Sequence, residues 1–215
     1  MKPQLINHCF KSLTPMKILS IAPIILVLFF SLSFTSCKKR DKQIEMNTII
    51  ENKNISDEEA LYGIAKVLFL DLLKSFKSEV NQAGKQDVVI EYGGNRANTF
   101  HSQENYSEKI QFDVVRYILL YFQSGSKRNL DNLRISLVKP YYVKEPDVKK
   151  EIMEEFEVFR VSISLNDLNT IQDWENPKLL SDNKNANNAK VIELFNQVRL
   201  KWKIELNELR RIELK

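Results

Sequence analysis

Cysteine, histidine and glycine are scarce in this chain, and each scarcity excludes a class of chemistry. The 215 residues include two cysteines and two histidines, whereas a zinc site takes three or four ligands that are usually Cys or His. The five glycines do not form the Gly-rich loops that hold nucleotide phosphates. The sequence therefore predicts no metal site and no nucleotide cofactor of a common kind.

The N-terminal region has the order of residues that is typical of a bacterial export signal. Three lysines precede an apolar run over residues 18–30, and small polar residues then lead into Cys37. These lysines are Lys2, Lys11 and Lys17. A basic region, an apolar core and a small-residue cleavage zone, in this order, direct export. Because a cysteine follows at once, residues 1–36 resemble a bacterial lipoprotein signal peptide.

The resemblance implies a lipid anchor at Cys37. In bacterial lipoproteins the cysteine thiol receives a diacylglyceryl group, with acyl chains such as palmitate, and cleavage leaves the cysteine as the first residue. Thr35 and Ser36 fit the family pattern, whereas Phe34 stands where leucine is usual. The alternative is an uncleaved anchor over residues 18–34, near the lower limit of the ~17–25 residues that a spanning helix needs.

The start of the signal is a separate question. Met16-Lys17 would begin a signal of ordinary length. This raises the hypothesis that residues 1–15, which include His8 and Cys9, precede the true start codon.

Removal of the signal leaves a nearly neutral chain. The signal contains three of the 32 basic residues and none of the 28 acidic ones, which leaves 29 against 28. This balance lacks the basic surface of a nucleic-acid-binding protein. The remaining cysteine is the predicted lipid site, so we expect no disulfide within the chain and no thiolate nucleophile.

Residues 37–55 follow the lipid site and are predicted to form a polar tether. A flexible chain of this length would hold a domain about 20–25 Å from the membrane. The run Lys38–Lys42 would contact anionic headgroups, or it would be a plain solvated spacer. An acidic run after the cysteine directs some lipoproteins to the cell surface, and this chain has a basic one. We therefore expect an outer-membrane rather than an inner-membrane anchor, with the domain on the periplasmic face.

Residues 56–215 are predicted to form one α+β domain, with a small antiparallel sheet packed by three helices. A capping box at Ser56–Glu59 begins a buried N-terminal helix, whose apolar spacing continues to Phe76, and Gly84 is a candidate stop. A second helix is predicted from about 108 to 123. A long amphipathic C-terminal helix is predicted from about Ala189.

Alternating apolar residues predict the strands. Residues 86–92 form the first strand and end at Gly93-Gly94, where a turn with positive φ is expected. Residues 96–102 are a return strand or a loop. Two further runs, 133–138 and 158–165, are expected to pair antiparallel, with the charged stretch 144–155 at their tip. Residues 181–188 are polar and predict a mobile loop.

His101 is the one candidate catalytic residue in the predicted domain. It lies in a polar segment where it would act as a general base, oriented by Glu104 or Glu91, with Ser102 or Thr99 nearby. The alternative is a solvated loop histidine, because no spacing in this segment specifies a catalytic triad.

Three other features have both a functional and an ordinary interpretation. Four glutamates before the last predicted strand would bind calcium or cleave glycosides, or would be a solvated charged tip. They are Glu151, Glu154, Glu155 and Glu157. Tyr141-Tyr142 would contact a ligand or pack at a sheet edge. The C-terminal helix has a short heptad-like seam for self-association or a protein partner, or it packs on its own sheet.

The leading interpretation is a non-enzymatic, lipid-anchored envelope protein whose domain binds a partner protein or a ligand. The first alternative is an envelope hydrolase that uses His101. The second is a carrier of a small apolar ligand, with a pocket between the helices and the sheet.

Overall fold

Five strands form a single sheet in the order β1-β2-β3-β4-β5. The computed structural model describes residues 42–94, 103–144, 151–176 and 189–209. The strands are β1 (Leu73–Val80), β2 (Gln86–Tyr92), β3 (Leu130–Lys144), β4 (Glu151–Ser164) and β5 (Lys203–Asn207). The helices are α1 (Lys42–Glu51), α2 (Asp57–Phe69), α3 (Gln103–Gly125), α4 (Leu165–Leu168) and α5 (Ala189–Lys201).

The predicted α+β class is confirmed, but the sheet is mixed rather than antiparallel. Strands β2 and β3 run parallel, and the other neighbouring strands are antiparallel. The 23 residues of α3 lie between β2 and β3 in the chain. A crossover of this length carries the chain back to the end of the sheet at which β2 begins. Strand β3 can then run parallel to β2.

Sequence alternation located the central strands well. Strand β2 spans the predicted residues 86–92, and β3 pairs with β4 in the expected antiparallel register, with Leu133 opposite Ile163 and Leu137 opposite Phe159. These side chains are buried, because one face of the sheet packs under the helices. The predicted second helix is also confirmed, and it begins earlier, at Gln103.

The N-terminal helix is shorter than predicted. Its capping box is present, since the backbone N–H of Glu59 donates to Ser56 and the Ser56 N–H donates to Glu59. The helix ends at Phe69, Leu70 has a φ of +50°, and residues 73–80 then form strand β1. Gly84 does not stop a helix. It has a φ of +74° in the turn between β1 and β2.

The C-terminal helix is also shorter than predicted. It ends at Lys201, and Lys203–Asn207 pairs with β4 as strand β5. The apolar stripe of Val191, Phe195 and Val198 is buried inside the domain, and the Phe195 ring lies 5.5 Å from that of Phe112 in α3. These three residues of the heptad-like stripe therefore pack on their own domain.

The predicted tether contains a folded helix. Helix α1 occupies residues 42–51, and Met46 is 3% exposed within the core. The Lys42 ammonium donates to the carbonyl oxygen of Leu68 at 3.1 Å, and Arg128 donates to the carbonyl of Ile49 at 3.1 Å. The folded domain thus already includes Lys42, and the segment available as a tether is much shorter than 37–55.

Gly93 and Gly94 do not have the positive φ that was predicted for them. Gly93 instead lies where the end of β2 approaches β3 closely, because a Cβ atom at this position would overlap the carbonyl oxygen of Val138. The Gly93 N–H also donates to the carbonyl of Leu72 at 2.8 Å. The absence of a side chain therefore permits a close backbone approach.

Candidate functional site

A cleft of about 420 Å³ lies beside the carboxyl end of strand β2, where β2 pairs in parallel with the middle of β3. Helix α3 forms one wall, and the turn after α2 forms another. The lining residues are Asp71, Leu72, Tyr92, Gly93, Gly94, Ile110, Asp113, Tyr117, Leu137 and Lys139. The carboxyl ends of parallel strands are where α/β sheets commonly bind ligands, so this position marks the cleft as the candidate site.

Lys139 is the unusual residue of the cleft. It continues the inward positions of β3 after Leu137, and it is only 9% exposed. Among the described residues its ammonium has no hydrogen bond or salt bridge, and its Nζ atom still reaches solvent. Desolvation lowers the pKa of Lys139, and the charge of Asp113 partly restores it. A buried cation without a direct partner is costly, and an anionic group bound in the cleft would compensate this cost.

Two tyrosines, Tyr92 and Tyr117, line the same cleft, and Phe69 packs against both. The ring centroids of Phe69, Tyr92 and Tyr117 lie 4.6 to 5.2 Å from one another. Burial, together with the negative charge of Asp113, raises the pKa of both tyrosines. Their hydroxyls therefore remain protonated at neutral pH. The arrangement offers apolar ring surface next to hydrogen-bond donors, which suits a ligand with an apolar body and an anionic group.

Asp71 lines the exposed part of the cleft, and Asp113 supplies a second exposed carboxylate at its rim. Partial desolvation raises the pKa of its carboxyl group, against the lowering effects of Lys109, Arg116 and Lys139. The cleft thus has one mostly buried lysine side chain and two exposed carboxylates.

Replacement of Lys139 by methionine is expected to raise the free energy of unfolding by about 1 kcal/mol at pH 7. Because the folded pKa of Lys139 is lowered, the unfolded chain binds more protons between that value and 10.5. The free energy of unfolding of the wild type therefore rises with pH across this window. The variant lacks this titrating group, so the difference between the two free energies of unfolding becomes smaller. Urea unfolding from pH 7 to 10.5 measures the effect. Lys77→Met, at an exposed strand position, is the control, and a difference that stays constant with pH would contradict the interpretation.

A second group of charged residues lies on the open face of the sheet, but its charges are already paired. Arg134 contacts Glu205 at 2.9 Å, and Arg160 forms a salt bridge with Glu157. Partial burial raises the pKa of Glu157, but hydrogen bonds from Arg160 and the buried Ser136 outweigh it and leave the pKa below its usual value. A network that neutralises itself has less need of a ligand than Lys139 has.

Several of the predicted site residues lie outside the described part of the chain. These are Cys37, Thr99, His101 and Ser102. The same holds for residues 96–102 and 181–188 as structural elements. Glu104 belongs to α3, and Glu151, Tyr141 and Tyr142 belong to strands, but their side chains are not described.

The remaining predicted residues are not part of the cleft. Glu91 accepts a hydrogen bond from Ser75 at 2.7 Å on the other face of β2. Glu155 pairs with Lys74 at 2.6 Å, and Glu157 pairs with Arg160. These glutamates belong to strand β4 and not to a loop at the tip. Among the described residues, no three metal-ligating side chains are grouped.

Sequence analysis missed the residues of the cleft, although one signal was present. The inward positions of β3 follow the alternation Leu133, Ile135 and Leu137, and the next inward position holds a lysine. A lysine on the apolar face of a strand is rarely buried unless it has a partner. Asp113 gave no such signal, because a charged residue beside buried positions is common on a helix.

Comparison of the chain with protein-family models, curated proteins and solved structures finds no significant match. Within the described ranges, no helix is long and apolar enough to cross a membrane.

Proposed function

We propose that this chain is a lipid-anchored bacterial envelope protein whose α+β domain binds a small amphipathic ligand in the cleft around Lys139. The anchor is supported by the sequence order that ends at Cys37. The binding function is supported by one observation above the others, which is the mostly buried Lys139 side chain, without a hydrogen bond or salt bridge among the described residues, in a cleft that two tyrosines line. The role is binding rather than catalysis.

The ligand is expected to have an anionic group joined to an apolar body. The cleft lies between α3 and the sheet, as the carrier hypothesis predicts, but its lining is not purely apolar. The volume of about 420 Å³ falls within the range of small-molecule sites. The Lys139 ammonium would bind a carboxylate or a phosphate, and the rings of Tyr92 and Tyr117 would cover the apolar part.

The membrane location extends this proposal. Acyl chains on Cys37 would hold the domain at the membrane, and the basic residues that follow favour the periplasmic side of the outer membrane over a surface-exposed position. Two or three acyl chains give stable anchoring, whereas a single chain gives only marginal binding.

Native mass spectrometry of protein extracted from its own membranes in mild detergent tests both parts. We expect a polypeptide mass of residues 37–215 plus acyl groups, with an additional bound mass in a fraction of the molecules. An acylated protein that never carries bound mass would contradict the binding function. An intact precursor without acyl groups would contradict the anchor.

A further inference from the structure

Leu70 is an exposed leucine in a strained backbone conformation. It is 60% exposed, and its φ of +50° with a ψ of −127° lies in a region that favours glycine. Leu72 follows in the same turn and is 37% exposed. Strained residues of this kind cluster at functional positions. Exposed apolar side chains at the end of a helix are suited to contact with an apolar environment.

The start of the folded domain lies beside this turn. The Lys42 ammonium donates to the carbonyl of Leu68, two residues before Leu70. Burial and the charge of Arg116, one turn after Asp113 in α3, lower the pKa of Lys42. Helix α1 therefore begins close to both the Leu70 turn and the cleft.

The length of the chain limits how far this region can lie from the lipid. Lys42 lies five positions after Cys37, with four residues between them, and five extended Cα–Cα steps reach at most about 18 Å. Three of the intervening residues are basic, at positions 38–40, and basic residues at a membrane surface are attracted to anionic headgroups.

We infer that the turn containing Leu70 and Leu72 inserts into the surface of an anionic bilayer, so that the cleft opens beside the membrane. This inference rests on the lipid anchor proposed above. It specifies which end of the domain faces the bilayer, and it implies that the amphipathic ligand is exchanged with the membrane.

The test uses the acylated protein in vesicles of phosphatidylcholine and phosphatidylglycerol that contain brominated lipid. After processing, the acylated Cys37 has no free thiol, so Leu70→Cys carries the only reactive cysteine for an environment-sensitive fluorophore. Leu200→Cys is the matched control. Leu200 is 83% exposed. It precedes β5, whose Lys203 pairs with Ser162 near the carboxyl end of β4, and this is the end of the sheet away from the Leu70 turn.

We expect bromine to quench the fluorophore at position 70 at least about twofold more than the one at position 200, because interfacial burial of apolar residues is shallow but reaches the acyl boundary. Equal quenching at the two positions, or no quenching at position 70, would overturn the inference. The intact mass of the same sample shows whether acyl groups are present. Failure of the anchor is therefore distinguished from failure of this orientation, and circular dichroism confirms that both variants are folded.

Discussion

Replacement of Cys37 by serine is expected to give a chain without acyl groups, and this chain is lost from the membrane once its signal is removed. Serine cannot supply the thiol that the lipoprotein class acylates. A single acyl chain already gives a membrane association constant of about 10⁴ M⁻¹, and further chains raise it steeply. Without acyl chains, the processed variant would lose this contribution to membrane binding. Membrane fractionation combined with intact-mass measurement reads out both effects.

One outcome would contradict the lipid anchor at Cys37. A Cys37→Ser protein that stays in the membrane with the same polypeptide mass as the wild type would show that residues 18–34 are an uncleaved anchor. Ser36→Ala, which keeps a small residue beside the cysteine, is the control and is expected to be acylated normally.

Replacement of Gly93 by alanine is expected to destabilise the domain by about 3 kcal/mol, which for a domain of this size lowers the melting temperature by roughly 10 °C. The added Cβ would overlap the carbonyl oxygen of Val138. Gly93 is also held by its hydrogen bond to Leu72 at 2.8 Å, so its backbone has little room to move. Thermal unfolding followed by circular dichroism measures the loss.

The neighbouring glycine provides a matched control for this prediction. A Cβ at Gly94 would lie 3.4 Å from the side chain of Leu72, at the edge of ordinary contact. Gly94→Ala is therefore expected to change the melting temperature by only a few degrees. Equal losses for the two variants would show that the close approach of β2 to β3 is not the cause.

The elements that sequence predicted well are those whose patterns have one interpretation. Alternation in β2, β3 and β4 fits a strand and does not fit a helix. The bounds of β2 and the pairing of β3 with β4 were therefore correct, although β3 and β4 are both longer than predicted. The capping box at Ser56 is local and was also correct. The parallel pairing of β2 with β3 was missed because it depends on the path of α3 and not on the pattern of either strand.

Two misassigned segments have patterns with more than one interpretation. Leu72 and Phe76 extend the helical spacing of α2, yet they lie after its end because residues 73–80 pair with β2. Leu206 extends the spacing of α5, yet it lies in β5 because residues 203–207 pair with β4. In both cases hydrogen bonds to a strand distant in sequence decide the structure, and sequence spacing does not contain that information.

The candidate site was harder to predict than the fold. The candidates predicted from the sequence were histidine and glutamate residues, which are common catalytic groups. The lysine, the aspartate and the two tyrosines of the cleft come from three elements, with Asp113 and Tyr117 both on α3. Lys139 and Asp113 are 26 positions apart in the chain and are brought to one cleft by the crossover through α3. The position of Lys139 in the apolar alternation of β3 was the available signal.

The measurement that tests the account most directly compares the bound mass of the wild type with that of Lys139→Met. Both proteins are extracted from their own membranes in mild detergent and examined by native mass spectrometry, with Lys77→Met as the control. The account predicts a bound species in the wild type and in Lys77→Met, and its loss in Lys139→Met while that variant remains acylated and at least as stable. Retention of the same bound species by acylated Lys139→Met would contradict the assignment of the cleft as the binding site.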